Sequence, residues 1–185
     1  MSVMRERTLS RNSGGFTIVE LLIVIIVIAV IATITIVAYT GVQNQSIDTK
    51  VRNDLVNISK KFELYHMDNG SYPYGTPLNM ANYFTVPVSR SSYDLTKDYQ
   101  LLVCTDSAKP GSTYAVLAVS RAGTRLYVGS ATGGVKEYTG ATAWLTTAAC
   151  SSGVLPGPGA GSALGAGYAL AGGDTGWRPW ITDGD

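Results

Sequence analysis

The sequence predicts an α+β chain: one long N-terminal helix, its first half fit for a membrane, packed on a small antiparallel sheet. Three observations carry that expectation. From Phe16 to Tyr39 the chain runs 24 residues with a single formal charge, Glu20. An apolar stripe at helical period then continues to Tyr65, and the first proline is Pro73. Beyond residue 98, β-rich runs alternate with turn signals.

The first element is the apolar run. A helix of that length is ~36 Å long, against a bilayer hydrocarbon core of ~30 Å, so it can span. Its charge is out of place: a carboxylate inside such a run costs on the order of a few kcal/mol if it enters lipid alone, and it asks for a partner. The preceding residues 1–13 are polar, set Arg5, Arg7 and Arg11 against Glu6, and lead into Gly14-Gly15. A secretory signal places its small-residue cleavage site after the apolar stretch; here the small residues come before it. A cut after Gly15 would remove the basic leader, keep the helix, and expose a new amine on Phe16, one helical turn from Glu20. Opposite charges attract far more strongly in a low dielectric than in water. Pairing within one subunit, or better between two adjacent helices, would relieve the carboxylate. The bland alternative is a plain anchor with an accidental Glu. Three arginines ahead of the span favour a cytoplasmic N-terminus, with everything after Tyr39 outside.

The stretch Gly15-Phe16-Thr17-Ile18-Val19-Glu20-Leu21-Leu22, with its aliphatic continuation, resembles the type IV pilin family, which includes the pseudopilins of type II secretion and competence systems. The resemblance implies the type IV pilin fold. It implies a prepilin peptidase that cuts between Gly15 and Phe16 and N-methylates Phe16. It also implies that Glu20 neutralises the terminal amine of a neighbour during assembly into a helical filament of identical subunits, served by an assembly platform and its ATPase. The expected divisions are a removed leader (1–15), a transmembrane and filament-core helix (16–39), an amphipathic half of the same helix (40–66), a globular head (67–150) and a Gly-rich C-terminal tail (151–185). Family members often carry a proline within the membrane half; this chain has none there.

In the amphipathic half, Ile47, Val51, Leu55, Ile58, Phe62 and Tyr65 recur every three or four residues, one stripe at helical period. Asp48, Lys50, Arg52, Asn53, Asp54, Asn57, Lys60, Lys61 and Glu63 fill the remaining faces. The helix should stop near Met67-Asp68-Asn69-Gly70, since Asn and Gly accept the left-handed conformation that ends helices. Residues 74–98 have no sustained periodicity and read as a connecting loop. Strands are expected at 99–104, 114–120 and 125–129, with a short fourth at 135–138; Lys109-Pro110-Gly111 and Ala122-Gly123 mark turns between them. The apolar face of this meander should pack on the helix.

Cys104 and Cys150 are the only cysteines. Outside the cell an even count reads as a disulfide; two buried free thiols are the alternative. A bond would close a loop of about 46 residues, worth ~4 kcal/mol on the loop-entropy argument. Linking the first strand to the C-terminal part of the head also matches the disulfide-bounded region of pilins. The end of the chain, 151–185, holds ten glycines and Trp177-Arg178-Pro179-Trp180. Its default is a flexible or loosely packed tail, although the tryptophans could dock on the head, a neighbour or a ligand. Asp174, Asp183 and Asp185 could offer oxygens to calcium, but their spacing fits no known loop and a solvated acidic end is simpler. No metal or other cofactor is expected.

Several function classes fall away. Without residues 1–15 the chain carries 11 basic against 12 acidic side chains, no basis for strong direct nucleic-acid binding. The single histidine, His66, reads as a solvated helix cap, and no nucleophile, phosphate-loop or metal motif appears, so no enzymatic activity is expected. The resemblance implies a structural subunit of a type IV pilus, displayed outside the cell after a membrane stage and serving adhesion, twitching motility or DNA uptake. The alternative is a pseudopilin of a secretion or competence apparatus; a membrane-anchored binding domain is the control.

Overall fold

The computed structural model describes residues 15–74, 82–94, 99–106, 109–140, 149–150, 167–170, 177 and 180–184, with the side chains of 37, 99 and 167–170 left aside. The chain divides into two compact units, Met1–Gly41 and Val42–Asp185.

One helix, α1, runs Ile18–Asn69, 52 residues without a proline. Its polar interruptions in the apolar half are satisfied locally: Thr33 Oγ1 donates to the Val30 carbonyl at 2.7 Å and Thr35 Oγ1 to that of Ile31 at 2.8 Å. It ends where Asn69-Gly70 predicts. Gly70 takes φ +73°, its N–H reaches the His66 carbonyl at 2.8 Å, and Asn69 Nδ2 covers the Tyr65 carbonyl at 2.9 Å, so the last carbonyls are closed off. His66 is not a free cap; its ring stacks on Tyr72 with centroids 4.3 Å apart.

In the second unit the strands are β1 (Val86–Val88), β2 (Tyr99–Thr105), β3 (Tyr114–Val119), β4 (Arg125–Gly129), β5 (Lys136–Glu137), β6 (Gly167–Leu170) and β7 (Ile181–Asp183). Five form an antiparallel sheet in the order β5-β4-β3-β2-β6, and β1 pairs in parallel with β7. Side chains alternate across a strand, and that alternation builds two cores. Leu101 and Val103 of β2, Tyr114, Val116 and Ala118 of β3, and Leu126 and Val128 of β4 bury against Val51, Leu55, Ile58 and Phe62 of α1. The intervening Leu102, Cys104, Ala115 and Leu117 form a second cluster with Ala149 and Cys150 on the opposite face. Both faces of β2 and β3 are thus covered, which is why these strands read as continuous apolar runs. This is the α+β arrangement that the helical period and the β-rich runs predict.

Two expectations need correction. Residues 74–98 are not only a connecting loop: Val86 and Val88 bury on either side of an exposed Pro87, followed by a 3-10 turn at Arg90–Ser92. A proline is tolerated in such a strand because it lies at a sheet edge. The end of the chain is likewise not a loose tail throughout. β6 joins the main sheet beside β2, β7 pairs with β1, and Trp180 is fully buried. Overall composition hides this, because the docking rests on a few large apolar side chains, Trp180 and Ile181 in the core with Trp177 packed against it. Asp183 lies opposite Val88 on β7, while Asp174 and Asp185 fall outside the described residues.

Candidate processing and assembly site

The start of α1 is built by three residues that do not belong to it. Gly15, Phe16 and Thr17 are non-helical and exposed, with Phe16 84% accessible. Thr17 is the N-cap: its carbonyl accepts the first helical bond, from the Leu21 N–H at 3.3 Å. Its N–H and its hydroxyl both donate to Glu20 Oε2 at 2.8 Å, and the Glu20 N–H returns a bond to Thr17 Oγ1 at 3.2 Å. This reciprocal pair is a capping box. The pattern Thr-Ile-Val-Glu before an apolar run is its sequence signature. Within one chain the carboxylate is therefore held by Thr17. Residues 1–14, including the arginines and Gly14, lie outside the described residues.

From Ile18 to Tyr39 the large apolar side chains with a described placement are exposed. The helix is long and apolar enough to cross a membrane, and an all-round apolar surface fits lipid or like helices, not water. A Cβ added at Gly15 would meet nothing within 4 Å, so the subunit itself does not require glycine there.

In the second unit, α1 is fastened by carboxylates that accept from hydroxyls. Asp48 accepts from Ser120 Oγ and from Thr124 Oγ1. Asp54 accepts from the Ser89 N–H at 2.9 Å and from the Tyr93 hydroxyl at 3.0 Å. Glu63 accepts from Tyr72 at 3.0 Å and Tyr114 at 3.2 Å, and Ser59 also bonds Tyr114. These acids lie off the apolar stripe, yet Asp54 is only 6% exposed. Uncharged donors let a buried carboxylate be satisfied without a second buried ion.

The same network holds the tyrosines protonated. Burial, reinforced by Glu63, pushes the Tyr72 hydroxyl up to about 12. Burial and the Asp54 charge raise Tyr93 well above its usual range. Burial, helped by the Glu63 charge and partly offset by the Ser59 bond, raises Tyr114. A phenol raised in the folded state contributes stability that is complete below its unfolded value of 10.0. That contribution is lost as pH climbs through the folded value. Thermal melts of the full chain in detergent should be flat from pH 8 to 10 and fall from 10 toward 12. Tyr93→Phe should flatten that fall; an unchanged melting temperature at pH 11.5 would contradict the network.

Cys104 and Cys150 are joined in a disulfide with Cα atoms 5.6 Å apart, in the second core cluster. The bond ties β2 to the segment after β5.

Residues 10–36 match the family model described as the prokaryotic N-terminal methylation motif. The match covers residues on both sides of the Gly15-Phe16 bond, Glu20 and most of the apolar run. No curated protein and no solved structure matches the chain.

Proposed function

We propose that this chain, which carries the prokaryotic N-terminal methylation motif over residues 10–36, is a prepilin whose mature form is the structural subunit of a type IV pilus. The observation that carries the reading is a lone carboxylate near the start of an exposed apolar run that is otherwise uncharged to Tyr39, four residues after Phe16. Cleavage after Gly15 converts that bond into an amine on Phe16, in a stretch that is already non-helical and accessible. Copies then bundle through their apolar helices, each Glu20 facing the new terminus of an adjoining copy, while the disulfide-stapled heads face outward. The role is structural and not catalytic. Its partners are the prepilin peptidase, further copies of the chain, the assembly platform with its ATPase, and the membrane that holds the subunit before assembly.

N-terminal mass analysis of the chain from its own cells tests this: a start at methylated Phe16 is expected, and a retained arginine-bearing leader would overturn it. Long fibres outside the cell containing the chain distinguish a pilus from a short pseudopilus confined to the envelope.

Gly15→Leu supplies a second test. Nothing in the subunit resists a side chain at this position, so a defect would report the peptidase and not misfolding. Processing is expected to fall at least roughly tenfold, the scale of a buried side chain with no pocket to receive it. Full processing of Gly15→Leu would place the cut elsewhere.

A further inference from the structure

Asn69-Gly70 is the one Asn-Gly pair in the chain, and it carries a chemistry beyond its turn geometry. Asparagine is a thermolabile residue, and glycine, with no side chain, leaves its backbone nitrogen open to approach. The Gly70 nitrogen can attack the carbon of the Asn69 side-chain amide. The new carbon–nitrogen bond closes a five-membered cyclic imide, and the Asn69 amide nitrogen leaves as ammonia, taking up the proton from Gly70. Water then adds to either imide carbonyl and reopens the ring. One opening yields aspartate; the other yields isoaspartate, in which the main chain runs through the former side chain. A water enters, an ammonia leaves, and no oxidation state changes.

The structure offers both reacting groups to solvent and holds each of them. Asn69 and Gly70 are exposed, and a Cβ added at Gly70 would meet nothing within 4 Å, so no neighbouring group shields the pair. The attacking N–H of Gly70 is donated to the His66 carbonyl at 2.8 Å, and the leaving Nδ2 of Asn69 to the Tyr65 carbonyl at 2.9 Å. Beyond the helix, Tyr72 clamps the chain back onto the last turns. Its ring stacks on His66 with centroids 4.3 Å apart, its hydroxyl donates to Glu63 at 3.0 Å, and its N–H donates to the Gly111 carbonyl at 2.8 Å. Attack therefore requires the last turn to open, and helix ends are where opening costs least.

The product no longer suits this place. Either acid lacks the donor to the Tyr65 carbonyl and puts a negative charge at the C-terminus of α1, the unfavourable end of its dipole. Isoaspartate also adds a carbon to the main chain just ahead of the Tyr72 clamp.

We propose that Asn69 is a site of spontaneous deamidation, and that the Tyr72 clamp over the last turn of α1 is its brake. The step needs water alone, and both reacting groups lie in one chain.

The test follows the full chain in detergent, folded and in denaturant, through a mildly alkaline incubation. Trypsin then releases the peptide Phe62–Arg90, which holds Asn69, Asn79 and Asn82, and fragment masses locate the change from amide to acid. In denaturant, Asn69 should convert before Asn79 and Asn82. In the folded chain the same residue should convert roughly tenfold to a hundredfold more slowly, the scale of a local opening. Tyr72→Phe, which loses the bond to Glu63, should speed the folded reaction roughly threefold or more and leave the denatured rate unchanged. Asn69→Gln, whose longer side chain would have to close a six-membered ring, should yield no acid there in the same time. Equal rates in the folded and denatured chain, or no acid at Asn69 in the folded chain, would overturn the proposal. So would earlier conversion of Asn79 or Asn82 in denaturant, or a folded rate that Tyr72→Phe leaves unmoved.

Discussion

Glu20→Ala is expected to insert in the membrane, to be cut after Gly15, and to assemble at no more than a hundredth of the wild-type level. The size follows from what the variant leaves behind. An ammonium group from a neighbour's Phe16, buried among apolar helices without its counter-ion, costs ~3 kcal/mol or more, on the order of a hundredfold in an equilibrium. The alanine also dissolves the capping box, since Thr17 N–H and Oγ1 both donate to the lost carboxylate. Glu20→Gln separates the two effects. Glutamine serves in a capping box as glutamate does, but it carries no charge. If charge pairing drives assembly, Glu20→Gln fails nearly as badly as alanine; if the cap alone matters, it assembles normally. Measuring sheared filament against membrane-resident processed subunit decides between them. Wild-type filament from both variants would mean that the acid is incidental.

What could be read in the sequence, and what could not, follows from how many residues carry each signal. The long helix was legible because its cause repeats over dozens of positions, and its end because Asn69-Gly70 is a local conformational device. β2, β3 and β4 were legible because each runs five or more residues, built on Tyr, Leu and Val, between turn signals. The strand at 86–88 has three residues with a proline at its centre, too short for period two to stand out. The roles of Asp48, Asp54 and Glu63 were hidden for a different reason. A charged residue off the apolar stripe reads as solvated unless one knows what lies opposite, and their partners, Ser120, Thr124, Tyr93, Ser89, Tyr72 and Tyr114, are distant in sequence except for Tyr72. At the assembly site the glutamate announced itself by being the wrong residue type for its surroundings. Its threonine partner did not, because a threonine at a helix start is ordinary.

The far end of the chain makes the same point with a larger consequence. Averaged over 151–185, glycine and small residues argue against a packed structure, yet burial energy is concentrated and not averaged. Trp180 is fully buried with Ile181 beside it, its ring edge-on to Phe84 at 6.4 Å. The backbone is held on both sides of it: Val86 N–H donates to the Trp180 carbonyl at 2.8 Å and Gly184 N–H to that of Val88 at 2.9 Å. Arg90 Nη2 donates to the Ile181 carbonyl at 2.8 Å, and the guanidinium lies 5.5 Å from the centre of the Trp177 ring, which itself meets Tyr93 edge-on. The anchor is thus one large side chain with a short ladder around it. Trp180→Ala should cost ~3–5 kcal/mol, and at about 2–4 °C per kcal/mol for a unit of this size lower the melting temperature by roughly 10 °C. The ladder to β1 should open with it, because a three-residue parallel pair cannot hold without the core beneath it. Trp180→Phe, which keeps most of the apolar area, should lose less than half as much. Limited digestion with chymotrypsin reads the opening directly at the Trp177-Arg178 bond: resistant in the wild type and in Trp180→Phe, cut early in Trp180→Ala. An alanine variant that melts with the wild type and stays equally resistant would return this segment to the status of a loose tail.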